Sequence, residues 1–217
     1  MTTVLFDFAW TLFAGDPHRW VGSAAALIGR EVAAGEAHRI AADYAELLRT
    51  TATDPAHTAR DLDPQVWDRA ILAVLQQIRG VDLAFARALH ETRAEALEPY
   101  ADTSSTLAAL RARDIRLGVV SNIGWDIRTC FARHGLDSYI DAFVLSYEVG
   151  FVKPDVRIWR TALDVLAAQP DQTVMVGDHP SGDGGSVAAG IPALVLPMVS
   201  SPAQRRGFDH VLTLAGI

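Results

Sequence analysis

The chain has 217 residues, 50% of them hydrophobic, a net charge of −7 and a single cysteine, Cys130. That length buries one sizeable core, or a core plus a small accessory domain, and the acidic balance speaks against non-specific binding to nucleic acid or an anionic membrane. A lone cysteine makes no internal disulfide, no apolar span approaches membrane length, and the N-terminal apolar run, broken by Asp7 and lacking a basic region, is no signal peptide; the expectation is a cytoplasmic protein with a small-molecule substrate, no nucleic-acid partner and no membrane partner.

Val4-Leu5-Phe6 runs into Asp7 without polar alternation, which predicts a strand buried on both faces at the centre of a parallel sheet. Its carboxylate then sits at the C-terminal tip of the strand, on the edge where open α/β sheets bind ligands. From about Pro17 to Leu97 the pattern is helical only. Trp20, Ala24, Leu27 and Ile28 recur at three- and four-residue spacing, as do Ile40, Tyr44, Leu47 and Leu48. Further helices are predicted over Val66–Ile78, with Asp63 as cap and Pro64 in the first turn, and over Leu83–Leu97. Thr51–Pro64 is turn-rich and links them.

From Tyr100 onward strands and helices alternate. A helix starts at Asp102-Thr103-Ser104, and a strand over Ile115–Val120 ends in Ser121-Asn122. A helix over Ile127–His134 closes at Gly135, and a strand covers Ala142–Leu145. The loop Val149–Asp155 carries Lys153, and Pro154 is expected to open a helix to about Ala168. The strand Thr173–Val176 ends in Gly177-Asp178. A Gly-rich loop over Gly182–Ala189 feeds a short helix closed by Gly190, and Pro192–Leu196 is a last strand. This grammar predicts an α/β fold: a Rossmann-like doubly wound parallel sheet formed by residues 1–14 and 98–217, with an all-helical insert over 15–97.

Parallel strands present their C-terminal ends on one side, so Asp7, Ser121, Lys153, Asp178 and Asp183 can converge there. Each has an ordinary role when taken alone: Asp7, Ser121 and Asp183 as caps, Gly177-Asp178 as a turn, Lys153 as a surface charge. Together they match the chemistry of phosphate. Asp7 and Asp178, with a backbone carbonyl, supply the hard oxygens that Mg²⁺ takes. Lys153 neutralises a phosphoryl group, the Thr11 and Ser121 hydroxyls donate to its oxygens, and Asp7 is placed to attack phosphorus. Of the 19 Lys and Arg residues, Lys153 is the only lysine, and arginine does not replace a compact ammonium.

Asp7-Phe8-Ala9-Trp10-Thr11-Leu12, Val119-Val120-Ser121-Asn122, Val149 to Asp155 and Val174 to Gly190 resemble, in this order, the four motifs of the haloacid dehalogenase superfamily of hydrolases. The resemblance covers nearly the whole chain and implies that the helical insert is the family's cap, which covers the site and selects substrates. It implies a Mg²⁺-dependent phosphatase with Asp7 as nucleophile. The metal would be held by Asp7, the Ala9 carbonyl, Asp178 and Asp183, and the substrate by Thr11, Asn122 and Trp10, with Ser121 and Lys153 on the phosphoryl group. The first motif departs from the family's Asp-x-Asp-Gly-Thr: Ala9 stands at the general acid and Trp10 at the glycine. A methyl group moves no proton, so turnover is expected to be impaired unless a residue such as His18, Arg19 or Trp20 supplies one. Two alternatives follow. One is a 2-haloacid dehalogenase, which needs no acid and uses a cap arginine (Arg19, Arg30, Arg39 or Arg49); the other is a protein that binds a phosphorylated ligand without turning it over. A Schiff-base branch is excluded, because the insert has no lysine.

Overall fold

The computed structural model describes residues 1–51 and 59–217. Contacts divide the chain into one unit of Met1–Ala14 with Glu98–Ile217, and a second of Gly15–Leu97. The first unit is built on a five-stranded parallel sheet. Its strands are β1 (Thr3–Phe6), β4 (Arg116–Ser121), β5 (Ala142–Leu145), β6 (Thr173–Gly177) and β7 (Ala193–Val195), in the order β5-β4-β1-β6-β7. Two further strands, β2 (Phe13–Gly15) and β3 (Leu97–Pro99), pair as a separate ribbon where the chain leaves and re-enters this unit.

β1 lies at the centre, and Val4, Leu5 and Phe6 are fully buried, which is why the run carries no polar alternation. Phe6 pairs with Val119 of β4 and Val176 of β6. The Asp7 N–H donates to the Val176 carbonyl at 2.9 Å, so the ladder reaches one residue past the strand and holds Asp7 at its tip. On one face of the sheet the helix Val156–Val165 buries Ile158, Trp159, Ala162 and Leu163 against Leu5, Val120, Val144 and Met175.

The second unit contains the helices Pro17–Leu27, Glu36–Thr50, Pro64–Leu75 and Leu83–Thr92. Three of them start on an aspartate whose carboxylate accepts first-turn N–H groups: Asp16 from Arg19, Asp63 from Gln65 and Val66, Asp82 from Phe85. Such caps satisfy donors that the helix itself cannot. Residues 52–58 of the turn-rich link lie outside the described residues; Arg60–Leu62 forms a 3₁₀ turn.

Several boundaries differ from the sequence pattern for local reasons. The last helix of the insert stops at Thr92, and Leu97 opens β3, because the Ala96 carbonyl accepts the Asp16 N–H at 3.0 Å; tertiary pairing overrides helical propensity there. Pro154 opens no helix. Asp155 caps the one that begins at Val156, its carboxylate accepting the Arg157 N–H at 2.9 Å. Leu27 and Ile28 are exposed, since the helix ends at Leu27 before its apolar face closes. Asp102 precedes the helix Thr103–Arg111 but makes no side-chain cap. Its carboxylate instead accepts the backbone N–H groups of Arg206, Gly207 and Phe208 at 2.6, 3.0 and 3.3 Å, fastening a C-terminal segment that has no periodic signature.

Removing the largest fully buried side chain is expected to cost about 3–5 kcal/mol in urea unfolding for Trp159→Ala, whereas Leu27→Ala at an exposed helix end is expected to stay within about 0.5 kcal/mol. Equal losses at the two positions would contradict the placement of the core.

Candidate active site

At the C-terminal edge of the sheet three carboxylates gather, two of them on one ammonium. Lys153 Nζ donates to Asp7 Oδ1 and to Asp183 Oδ1, both at 2.6 Å. Asp7, Asp178 and Asp183 each offer an oxygen within 4.8 Å of the others. Asp7 is fixed from behind by its neighbour Phe8, buried among Phe13, Phe131 and Trp125 with ring centroids 5.1, 5.9 and 6.3 Å away. Asp183 is 1% exposed and fully engaged: its Oδ2 accepts the Asp178 and His179 N–H groups at 3.0 and 2.9 Å. Gly177 permits this approach, because a Cβ there would come within 2.1 Å of Asp183 Oδ2.

Electrostatics follow from that crowding. Burial pushes the Asp7 carboxyl up to about 7, with Asp183 and Asp178 adding to the rise and Lys153 opposing it. Burial and Asp183 also raise Asp178. Desolvation disfavours the Lys153 ammonium, but Asp7 and Asp183 more than offset it, so the group stays charged. Three carboxylates against one ammonium leave an excess of two negative charges when all are ionised.

The remaining candidates surround this cluster in distinct ways. The Thr11 hydroxyl, fully buried, lies 3.5 Å from Asp178 Oδ1. Ser121 is buried at the last position of β4. Asn122 bonds the Lys153 backbone at both ends: its Oδ1 accepts the Lys153 N–H at 2.7 Å and its Nδ2 donates to the Lys153 carbonyl at 3.0 Å. The carboxamide expected to touch substrate therefore holds the lysine loop in register. Ala9 and Trp10 lie in a tight turn in which the Leu12 and Phe13 N–H groups both return to the Phe8 carbonyl at 3.0 Å. Trp10 has a φ of +61°, a left-handed conformation that costs an L residue roughly 1–2 kcal/mol.

Of the residues considered as substitute acids, Trp20 is committed elsewhere, its indole N–H donating to the Leu89 carbonyl at 2.7 Å. Arg30, Arg39 and Arg49 pair with Glu36, Asp43 and Glu46 within the helical unit. His18 stacks edge-on against His38, centroids 4.5 Å apart. Sequence pattern missed Arg206, which is 3% exposed and donates from Nε to the Trp10 carbonyl at 2.8 Å. Its Arg205-Arg206 doublet lies beyond the last predicted strand, where no periodicity marks a buried position.

The raised Asp7 pKa fixes a sign. Between the ordinary value of 3.8 and about 7 the folded protein holds a proton that the unfolded chain has lost. The stability this contributes is complete below 3.8 and is lost as pH rises through about 7. In chelator-treated protein, the urea midpoint is expected to carry that downward component between pH 4 and 7, and Asp7→Asn should remove it. An unchanged slope in the variant would contradict the burial of this carboxyl.

Residues 1–190 match the family of haloacid dehalogenase-like hydrolases. Among curated relatives, a glyceraldehyde 3-phosphate phosphatase of Methanothermobacter thermautotrophicus is 37% identical over 125 residues, 56% of this chain and 54% of that protein. A ribulose-1,5-bisphosphate 5-phosphatase of Halopiger xanaduensis is 26% identical over 98% of this chain and 91% of its own length. The chain thus spans about half or less of the first relatives it matches. Among solved structures, a dehalogenase crystallised with an intermediate complex superposes with a TM-score of 0.75 at 20% identity, covering 99% of this chain and 96% of that one. A HAD hydrolase of Bacillus subtilis, YfnB, bound to magnesium, gives 0.72 at 16% identity, covering 99% and 98%. These likenesses agree on the fold, and with the match over residues 1–190 the chain belongs to the haloacid dehalogenase-like hydrolases.

Proposed function

We propose that the protein is a Mg²⁺-dependent phosphatase of a small phosphorylated metabolite, acting through an aspartyl-phosphate on Asp7. The observation that carries this reading is the gathering of Asp7, Asp178 and Asp183, with Lys153 bonded to Asp7 and Asp183. The donor set fits the ion: hard carboxylate oxygens, an excess of negative charge, and a carboxyl held near neutrality by burial where a cation would release its proton. Asp7, Asp178 and the Ala9 carbonyl would hold Mg²⁺, with Asp183 orienting the set. When bound, the ion supplies Lewis-acid neutralisation of the phosphoryl charge. The phosphatase names of the relatives favour a phosphorylated substrate, and the helical unit, residues 15–97, is assigned substrate selection.

In this reading an Asp7 oxygen attacks phosphorus in line and the P–O ester bond breaks, its electron pair leaving with the ester oxygen. Lys153 and the Thr11 and Ser121 hydroxyls stabilise the phosphoryl oxygens, while Asn122 keeps Lys153 in place. Water then attacks the phosphorus of the aspartyl-phosphate, releasing phosphate and restoring the Asp7 carboxylate. Ala9 gives the departing oxygen no proton, a contribution typically worth about 10²- to 10⁴-fold. Leaving groups stable as anions are therefore favoured.

Aryl phosphates are expected to be hydrolysed faster than alkyl phosphates by about 10²-fold or more, with activity lost on chelation and in Asp7→Asn. Ala9→Asp, alone or with Trp10→Gly, is expected to raise alkyl phosphatase activity by about 10²-fold or more. Equal rates on both substrate types would show that another group delivers the proton. Ala9 also suits a halide leaving group. Halide release from a 2-haloacid in the presence of chelator would replace the phosphatase reading with a dehalogenase, and Mg²⁺ and phosphate-mimic binding without turnover would replace it with a binding protein.

A further inference from the structure

Arg206 is a buried cation with no carboxylate against its guanidinium among the ion pairs of the described residues. It donates instead to three backbone carbonyls: Nε to Trp10 at 2.8 Å, Nη1 to Pro197 at 2.6 Å and Nη2 to Leu196 at 3.2 Å. These acceptors belong to two segments: the turn after β1, and the stretch after β7, which is bonded to the end of β6. Trp10 follows Ala9 directly, and its own N–H is fixed to the Phe13 carbonyl at 2.7 Å. Leu196 donates its N–H to the Gly177 carbonyl at 2.8 Å, at the end of the strand that delivers Asp178. The guanidinium thus links the turn after β1 to the stretch after β7, and that stretch is itself bonded to the end of β6 through Leu196. Its own backbone is anchored by Asp102, which accepts the Arg206 N–H at 2.6 Å.

Trp10 holds a left-handed φ of +61°, where glycine alone is at ease. Because the peptide unit is planar, that angle orients the Ala9–Trp10 peptide and so aims the Ala9 carbonyl. With both backbone polar groups of Trp10 engaged, the turn cannot relax to negative φ without breaking the bond to Arg206. Lysine cannot stand in, because an ammonium lacks the flat fork that reaches three acceptors in fixed directions.

We propose that Arg206 is the positioning residue of the metal site: it holds the Trp10 turn in its left-handed form and ties it, through the Leu196 backbone, to the strand end before Asp178, so that the Ala9 carbonyl and the Asp178 carboxylate face a common ion. This rests on the Mg²⁺-dependent reading above. The link replaces, with a side chain from the C-terminal segment, the conformational ease that a glycine at position 10 would provide.

The test is a double-substitution cycle on the full chain with Arg206→Lys and Trp10→Gly. It is read by calorimetric titration with MgCl₂, by kcat and KM on an aryl phosphate, and by thermal melting. Arg206→Lys is expected to weaken Mg²⁺ binding by about 10- to 100-fold, the usual effect of losing an orienting partner, and to lower kcat with KM within about twofold. Adding Trp10→Gly to Arg206→Lys is expected to recover most of the lost affinity, since glycine keeps the turn unaided. A purely structural arginine would show no such rescue. Mg²⁺ affinity within about twofold of the parent in Arg206→Lys, or a loss that Trp10→Gly does not repair, overturns the proposal while leaving the Mg²⁺-dependent reading intact. Should Arg206→Lys not fold, Asp102→Asn, which loosens the backbone anchor and keeps the guanidinium, serves instead: weaker Mg²⁺ binding supports the role and native binding overturns it. Absence of Mg²⁺ binding by the parent protein overturns both readings together.

Discussion

One buried ammonium between two carboxylates sets the geometry of this protein's acidic edge. Lys153 Nζ lies 2.6 Å from Asp7 and from Asp183, with side-chain exposures of 6%, 10% and 1% respectively. Removing one partner from such a cluster leaves charge stranded in a poor solvent, at a cost of about 3–5 kcal/mol. The surroundings are accordingly built to keep it. Asn122 clamps the Lys153 backbone at both ends, Asp183 is saturated by two N–H groups, and Gly177 leaves the room Asp183 needs. Lys153 is the one lysine among the 19 Lys and Arg residues, and a guanidinium is too broad and too rigidly forked for this slot.

The cluster is anionic on balance; burial first, and the neighbouring carboxylates second, raise the carboxyls of Asp7 and Asp178. In the Mg²⁺-dependent reading proposed above, a divalent cation would relieve repulsion among groups that water solvates poorly. The same low-polarity surroundings that make the carboxyls hard to ionise make electrostatic stabilisation of a bound anion strong once the balance is restored.

Ala9 and Trp10 alter the site in two separable ways. In the proposed reading the methyl of Ala9 carries no proton, while its backbone carbonyl is unaffected. Trp10 puts a bulky residue at φ +61°, and the turn persists because its N–H and carbonyl are both engaged, the latter by Arg206. Strain at one edge of the site is thus held by a segment nearly two hundred residues further along the chain. Asp102, by accepting three successive N–H groups at 206–208, is what makes that segment dependable.

The sequence by itself determined the parallel α/β sheet, because apolar runs ending in Asp7, Ser121 and Asp178 are readable as strand tips and a sheet of parallel strands sends all such tips to one edge. It also singled out Lys153, since a unique residue type stands out from composition. Helix limits were less legible: Thr92, Leu27 and Pro154 each depend on what the neighbouring chain offers, as when the Ala96 carbonyl pairs with Asp16. Only the tertiary structure decided that Asn122 holds Lys153, that Asp102, at a helix start, secures a distant loop, and that Arg206 reaches Trp10. Those contacts join residues 31, 104 and 196 positions apart, and they are made by single polar side chains in loops. Such residues have no periodicity for a pattern to reveal; their partners exist only once the core has placed both ends.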